Sequence, residues 1–118
     1  MPLKVYAYSR CDTCRKALRW LNDHQKKYEL FDITLEWPTL AELKNYWQKS
    51  GLPLKDFFNK SGEVYRQLNL KETLKTLSEL EQLKLLSENG RLLKRPLITD
   101  GKRVTIGFKE ELFEENWS

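Results

Sequence analysis

Hydrophobic positions follow two different periods along the first third of the chain. From Leu3 to Tyr8 an unbroken run of mostly apolar and aromatic residues predicts a buried strand. From Cys11 to about His24 apolar residues recur at helical spacing, with charged residues between them, which predicts an amphipathic helix. The segment from Tyr28 to Ile33 predicts a second strand. Because a helix separates these two strands, we expect them to lie parallel in a right-handed unit.

The same helix-starting pattern occurs twice in the middle of the chain. Thr39 with Glu42, and Ser78 with Glu81, each place a hydroxyl and a carboxylate three residues apart before an apolar run. This spacing is that of a capping box. We therefore predict a helix after each box, with short helices and turns between them. Together they form a helical insertion over about residues 39–90.

The last part of the chain predicts two short strands and a helix. The segments from Leu97 to Thr99 and from Arg103 to Ile106 flank Asp100-Gly101, a pair typical of a tight hairpin turn. A final helix from Lys109 to Trp117 would pack back on the sheet. The order is β-α-β, then helices, then β-β-α. We therefore predict an α/β fold with a mixed four-stranded sheet in one domain, residues 1–118.

Charge and hydropathy restrict the classes of partner. The chain of 118 residues has 21 basic and 17 acidic residues, a formal charge of +4 and a pI of about 9.1. The two signs are interspersed, without a basic stripe beside stacking aromatics, so we do not expect direct nucleic-acid binding. No segment approaches the ~18 apolar residues of a membrane span, and no signal-peptide pattern is present. We expect a cytoplasmic monomer.

Cys11 and Cys14 are the main candidates for chemistry. A pair with this spacing in a reducing compartment indicates a redox or metal role. The positive end of the predicted helix dipole, together with Arg10 and Arg15, favours a thiolate at Cys11. We therefore predict that Cys11 is the nucleophile and Cys14 the resolving cysteine.

Two other interpretations of the cysteine pair stay open at this point. The pair could form half of a zinc site, although His24 is the only histidine available as a further ligand. The two cysteines could also be structural, with Cys14 acting as a small core residue. We favour the redox interpretation because the pair lies between a strand and a helix.

Four segments, in this order, resemble the arsenate reductase (ArsC) and Spx family over essentially the whole chain. They are Ser9 to Ala17, Val64 to Leu70, Leu93 to Leu97 and Gly107 to Glu110. The resemblance implies a thioredoxin-like, glutaredoxin-like sheet with a helical insertion. It also implies a cis peptide bond before Pro96, which would bring Arg95 close to the reactive cysteine.

The reductases of this family imply one set of functional residues. A cysteine matching Cys11 attacks arsenate, and an arginine matching Arg95 holds the oxyanion. Two further arginines of that pattern fall at Asn59 and Gly107 in this sequence. Because each charge-assisted bond to an oxyanion contributes about 1.5–3 kcal/mol, we expect arsenate to bind weakly. Such reductases need glutaredoxin, glutathione or thioredoxin as the thiol reductant and no bound cofactor or metal.

The Spx-type regulators imply another function. They use a cysteine pair as a redox switch and bind the C-terminal domain of the RNA polymerase alpha subunit. In this sequence Pro53 takes the place of a glycine in their polymerase-contact region. Three functions therefore remain open: a thiol-disulfide redox protein, a redox-sensing regulator that binds RNA polymerase alpha, and an arsenate reductase. We favour the first, with a thiol-disulfide partner protein or a small oxyanion as its substrate.

Overall fold

A mixed sheet of four strands, in the order β2-β1-β3-β4, is the centre of the computed structural model, which describes residues 2–118. Strands β1 and β2 are parallel, and β3 pairs antiparallel with both β1 and β4. The strands are β1 (Leu3–Ala7), β2 (Tyr28–Asp32), β3 (Leu97–Thr99) and β4 (Val104–Ile106). The predicted α/β architecture and parallel opening unit are confirmed.

In the part of the chain that the structure describes, six α-helices and three 3₁₀ turns complete the fold. The α-helices are α1 (Asp12–Asp23), α2 (Leu40–Ser50), α3 (Glu63–Gln67), α4 (Leu70–Thr73), α5 (Glu79–Glu88) and α6 (Glu110–Trp117). The 3₁₀ turns are Leu54–Phe57, Leu74–Thr76 and Gly90–Leu92. Helices α2 to α5 lie between β2 and β3, where the sequence predicts the insertion. Within residues 2–118, no helix is long and apolar enough to cross a membrane.

The sheet separates two hydrophobic cores because successive strand residues point to opposite faces. In β1, Val5 and Ala7 join the core beneath α1 and α6, whereas Tyr6 joins the core beneath the insertion. Phe113 of α6 is fully buried in the first core, so the final helix packs back on the sheet, as predicted. Cys14 also lies in that core, so the first core holds one of the two cysteines.

Both predicted capping boxes are present. Thr39 and Ser78 each accept a hydrogen bond from the backbone N–H three residues later, and the carboxylates of Glu42 and Glu81 accept one in return. These bonds satisfy backbone donors that a helix start otherwise leaves free. The starts of the insertion helices α2 and α5 are therefore encoded locally in the sequence.

The hairpin between β3 and β4 differs from the predicted tight turn. It is a four-residue loop in which Gly101, with φ of 96°, is the residue with positive φ. The Asp100 carboxylate accepts hydrogen bonds from the N–H groups of Lys102 and Arg103, each at 2.8 Å. This side-chain turn takes Arg103 out of the strand, so β4 begins at Val104.

We predict that Asp100→Ala destabilises the protein near neutral pH and much less in acid. The backbone hydrogen bond from Arg103 is the main reason that the pKa of Asp100 lies below its usual range. A carboxylate with a lowered folded-state pKa contributes stability above its unfolded pKa of ~4, and this stability is lost as the pH falls through the folded value.

Urea unfolding of the wild-type protein and of Asp100→Ala, at pH 7 and at low pH, measures the difference in stability. Asp23→Ala, at the exposed end of α1, is the matched control. An equal loss of stability at both pH values would contradict the prediction.

Candidate functional site

The two cysteines lie at the start of α1 in a hydrogen-bonded turn. Cys11 is the N-cap residue, and its Sγ accepts the backbone N–H of Cys14 at 3.3 Å. The N–H of Cys11 donates to the carbonyl of Tyr8 at 3.1 Å, which closes the turn after β1. Both cysteines are free thiols. The sulfur of Cys11 therefore occupies the position where helices usually place a Ser or Asp oxygen.

This position lets the Cys11 sulfur accept a hydrogen bond from the start of the helix. The first N–H groups of a helix have no partner within the helix, and the helix dipole adds a positive partial charge at this end. A thiolate accepts such hydrogen bonds better than a thiol does. The sequence prediction that Cys11 lies at a helix start is confirmed by the geometry.

Cys14 has a very different environment from Cys11. It is only 1% exposed and lies in the core beneath α1 and α6, whereas Cys11 is partly exposed. The Cys14 Sγ accepts the N–H of Tyr8 at 3.5 Å. Burial is the main reason that the pKa of the Cys14 thiol is raised, and its hydrogen bond with Cys11 raises it further. Cys14 is therefore a protonated thiol at neutral pH.

Arg95 and Pro96 directly precede β3, and Arg95 contacts Tyr8 of the cysteine turn. The Arg95-Pro96 peptide bond is cis, and Pro96 is buried. The Arg95 guanidinium lies 5.1 Å from the centroid of the Tyr8 ring and donates to the carbonyl of Arg91 at 3.0 Å. A cation over an aromatic face is attracted to the ring electrons. Arg95 lines a groove that Cys11 also lines, and together with Tyr8 and Arg91 it lines a second, smaller pocket of about 160 Å³.

Arg15 is held on the other side of the turn. Its Nη1 lies 3.2 Å from the carboxylate of Asp12, and both side chains are well exposed. Exposed ion pairs of this kind contribute little to stability. Asp12 offsets part of the positive charge that the sequence predicts beside Cys11. Arg15 instead lines a small apolar hollow next to Cys14.

A groove of about 730 Å³ begins at Cys11 and follows β4. Three cationic residues line it, Lys94, Arg95 and Lys109, against one carboxylate, Asp56. Neither lysine is predicted as a site residue from the sequence. Lys94 lies inside the segment from Leu93 to Leu97, and Lys109 lies inside the segment from Gly107 to Glu110, but only the fold shows that these two segments share a groove.

Asn59 and Gly107, the positions without the reductase arginines, line the same groove. The Cε atom of Lys94 is 3.3 Å from the place where a Cβ on Gly107 would lie. The absent side chain of Gly107 therefore leaves room for the Lys94 side chain to cross the groove.

His24 cannot complete a metal site with the cysteines. It stacks on Trp20, with ring centroids 3.7 Å apart, at the opposite end of α1 from Cys11. A 12-residue helix is ~18 Å long, which is far beyond any shared coordination distance. Within residues 2–118, no group of three or more His, Cys, Asp or Glu residues is arranged to hold a metal ion.

Comparisons with known proteins identify related sequences and structures. The model of the ArsC family matches residues 6–116. The chain is 55% identical to the protein YusI of Bacillus subtilis over the full length of both. It is 32% identical to the regulatory protein MgsR of Bacillus subtilis, covering 90% of this chain and 82% of MgsR. A crystal structure of an ArsC family related protein from Bacteroides fragilis superposes with a TM-score of 0.94 at 43% identity, covering 98% of this chain and 97% of that one. The thioredoxin-like fold and the family resemblance are thus confirmed, and the chain belongs to the ArsC family.

Proposed function

We propose that this protein is a thiol-disulfide redox protein in which Cys11 attacks and Cys14 resolves. One observation carries the proposal: the two sulfurs, one helical turn apart, have opposite environments. Cys11 faces a groove and accepts a helix N–H, whereas Cys14 is buried and protonated. A nucleophile must be accessible and ionised, and a resolving thiol must be shielded until the first step is complete.

In the first step the Cys11 thiolate attacks a disulfide of the substrate. A bond forms between Cys11 Sγ and one substrate sulfur, and the substrate S–S bond breaks. The second substrate sulfur leaves as a thiolate, which takes a proton from water. Arg95 lies in the groove where this negative charge develops, so its guanidinium can stabilise the leaving group.

In the second step Cys14 loses its proton to solvent and attacks Cys11 Sγ. The bond between Cys11 and the substrate breaks, and the substrate leaves as its second thiol. The protein now holds a Cys11–Cys14 disulfide, and two electrons have passed to the substrate. A thiol reductant, such as glutathione, glutaredoxin or thioredoxin, returns the pair to the dithiol by the reverse exchange.

We predict that the two cysteine variants accumulate different species. Cys14→Ser keeps the nucleophile, so it should accumulate a stable mixed disulfide at Cys11 when mixed with oxidised glutathione. Cys11→Ser should react at least about tenfold more slowly, because the remaining thiol is buried and protonated. Intact-protein mass spectrometry after acid quenching measures both adducts. Equal glutathionylation of the two variants would contradict the assigned roles.

The second step should depend strongly on pH. Because the pKa of Cys14 is raised, its thiolate is a minor species at neutral pH and increases with each unit of pH. We therefore predict that release of the substrate from the mixed disulfide accelerates about tenfold per pH unit between pH 6 and pH 8. Rapid-quench mass spectrometry follows this step, with Cys14→Ser as the control in which the mixed disulfide persists. A rate independent of pH would show that Cys14 is already ionised.

The likeness to MgsR favours a second candidate, a redox-sensing regulator. Here the same disulfide would change the affinity for a partner, and the partner implied by the Spx resemblance is the C-terminal domain of RNA polymerase alpha. A pull-down with that domain tests this candidate with the reduced and the oxidised protein, and Cys11→Ser serves as the control that cannot form the disulfide. Retention in one redox state is the expected result for a regulator. Absence of retention in both states would eliminate it.

A further inference from the structure

The groove beside Cys11 has the backbone edge of β4 as its floor. β4 is the outermost strand of the sheet, and among the described residues 2–118 its one strand neighbour is β3. Val104, Thr105 and Ile106 all line the groove, yet each is less than a tenth exposed. Val104 and Ile106 point their side chains into the core under the insertion, and Thr105 accepts the indole N–H of Trp117. The outer backbone edge of β4 is therefore the part of the strand that faces the groove.

The register of β4 shows which backbone groups point outward. The Gly107 N–H donates to the Pro96 carbonyl at 2.9 Å, which makes this pair a hydrogen-bonded one. Antiparallel pairs alternate, so Ile98 and Thr105 form the next hydrogen-bonded pair. The residues between and beyond them, Val104 and Ile106, direct their N–H and C=O groups away from β3. A free edge of this kind accepts an extended peptide as an added strand.

The walls of the groove leave this edge accessible and connect it to the cysteine. Ser50 and Leu52, at the end of α2, line one side, and Leu112 and Asn116 of α6 line the other. The same groove reaches Cys11 without a break. Its volume is in the range of ligand-binding clefts. A chain lying on β4 would therefore continue towards the reactive sulfur.

The charged residues of the groove favour some peptides over others as ligands of this edge. Lys94, Arg95 and Lys109 line the Cys11 end of the groove, against the single carboxylate of Asp56. Like charges disfavour a second copy of this chain, because two β4 edges would bring Lys109 and the hairpin cations of both copies together. The same charges attract an acidic segment.

We propose that the outer edge of β4 binds an extended acidic segment of the substrate protein as a fifth strand, and that this docking delivers the substrate disulfide to Cys11. The proposal rests on the proposed redox function and adds the class of substrate. Three strand spacings, from β1 to the added strand, span ~14 Å. An extended chain covers ~3.3–3.6 Å per residue, so about four or five residues should separate the docked segment from the reactive cysteine.

A synthetic substrate tests this docking with the intact, reduced protein. The probe is a peptide with five alternating Val and Glu residues, a glycine spacer and a cysteine joined by a disulfide to thionitrobenzoate. Attack by Cys11 releases coloured thionitrobenzoate and leaves the peptide on Cys11, from which Cys14 then displaces it. We expect a spacer of four or five residues to react at least about tenfold faster than the thionitrobenzoate disulfide of cysteine alone.

Backbone methylation of the peptide separates strand addition from charge attraction. In an added strand, alternate N–H groups face β4, and the others face solvent. N-methylation of one alternate set should remove the acceleration, whereas N-methylation of the other set should keep it. Equal effects of the two sets, or no effect of either, would overturn the proposal.

Hydrogen exchange of the protein gives a second test. The probe is the same peptide with its own cysteine replaced by serine, so that it binds without reacting. Binding of this peptide should slow hydrogen exchange at the backbone amides of Val104 and Ile106, and unchanged exchange at these amides would also overturn the proposal.

Charge variants provide a test within the protein. Lys94→Glu with Lys109→Glu should reduce the acceleration by about tenfold at low salt, and Lys71→Glu, on the insertion, is the matched control. Equal losses in the double variant and the control would overturn the role of charge.

The outcomes distinguish failure of the redox function from failure of the docking proposal. If the protein releases no thionitrobenzoate from any probe, the redox function itself fails. If it reacts with the cysteine disulfide but gains nothing from the peptide, only the docking proposal fails. Concentration-dependent dimerisation through β4 would assign the edge to a second copy and overturn the proposal as well.

Discussion

The hydrogen bond from the Cys14 N–H to the sulfur of Cys11 is the interaction on which the site depends. It makes the Cys11 sulfur part of the helix start, directly after the turn that follows β1. The turn is closed by Tyr8, whose carbonyl accepts the Cys11 N–H and whose own N–H donates to the Cys14 sulfur. One strand end thus positions both sulfurs. Any change that moves the end of β1 relative to α1 would change both sulfurs together.

The two faces of the sheet give the site its asymmetry. The core beneath α1 and α6 encloses Cys14, and its low polarity keeps that thiol protonated. Cys11 lies at the rim of the same helix, where the groove along β4 begins. The surface on that side is positive because Lys94, Arg95 and Lys109 meet there from two separate segments. The more exposed of the two sulfurs and three cationic side chains therefore line the same groove.

Local signals explain which parts of this arrangement the sequence predicts. The capping boxes at Thr39 and Ser78, the strand before Cys11 and the helical spacing of Cys14 each depend on neighbouring residues, and the structure has all of them. The predicted antiparallel hairpin after Thr99 is confirmed. Its turn is longer than the predicted tight turn because the Asp100 carboxylate accepts two backbone N–H groups, which a dipeptide rule does not capture. Lys94 and Lys109 were missed because their proximity depends on the pairing of β3 with β4. The ion pair of Arg15 with Asp12 depends on side-chain conformations that spacing alone does not fix.

We infer that Cys11 and Cys14 exchange electrons as a pair, with Cys11 as the attacking sulfur and Cys14 as the resolving one. Thiol trapping with mass spectrometry across a series of glutathione redox buffers decides whether they do. We expect a single two-electron transition from the dithiol to a Cys11–Cys14 disulfide within the range of cytoplasmic glutathione potentials. A pair that stays reduced throughout, or a Cys11 that ends as a stable glutathione adduct beside a free Cys14, would contradict it.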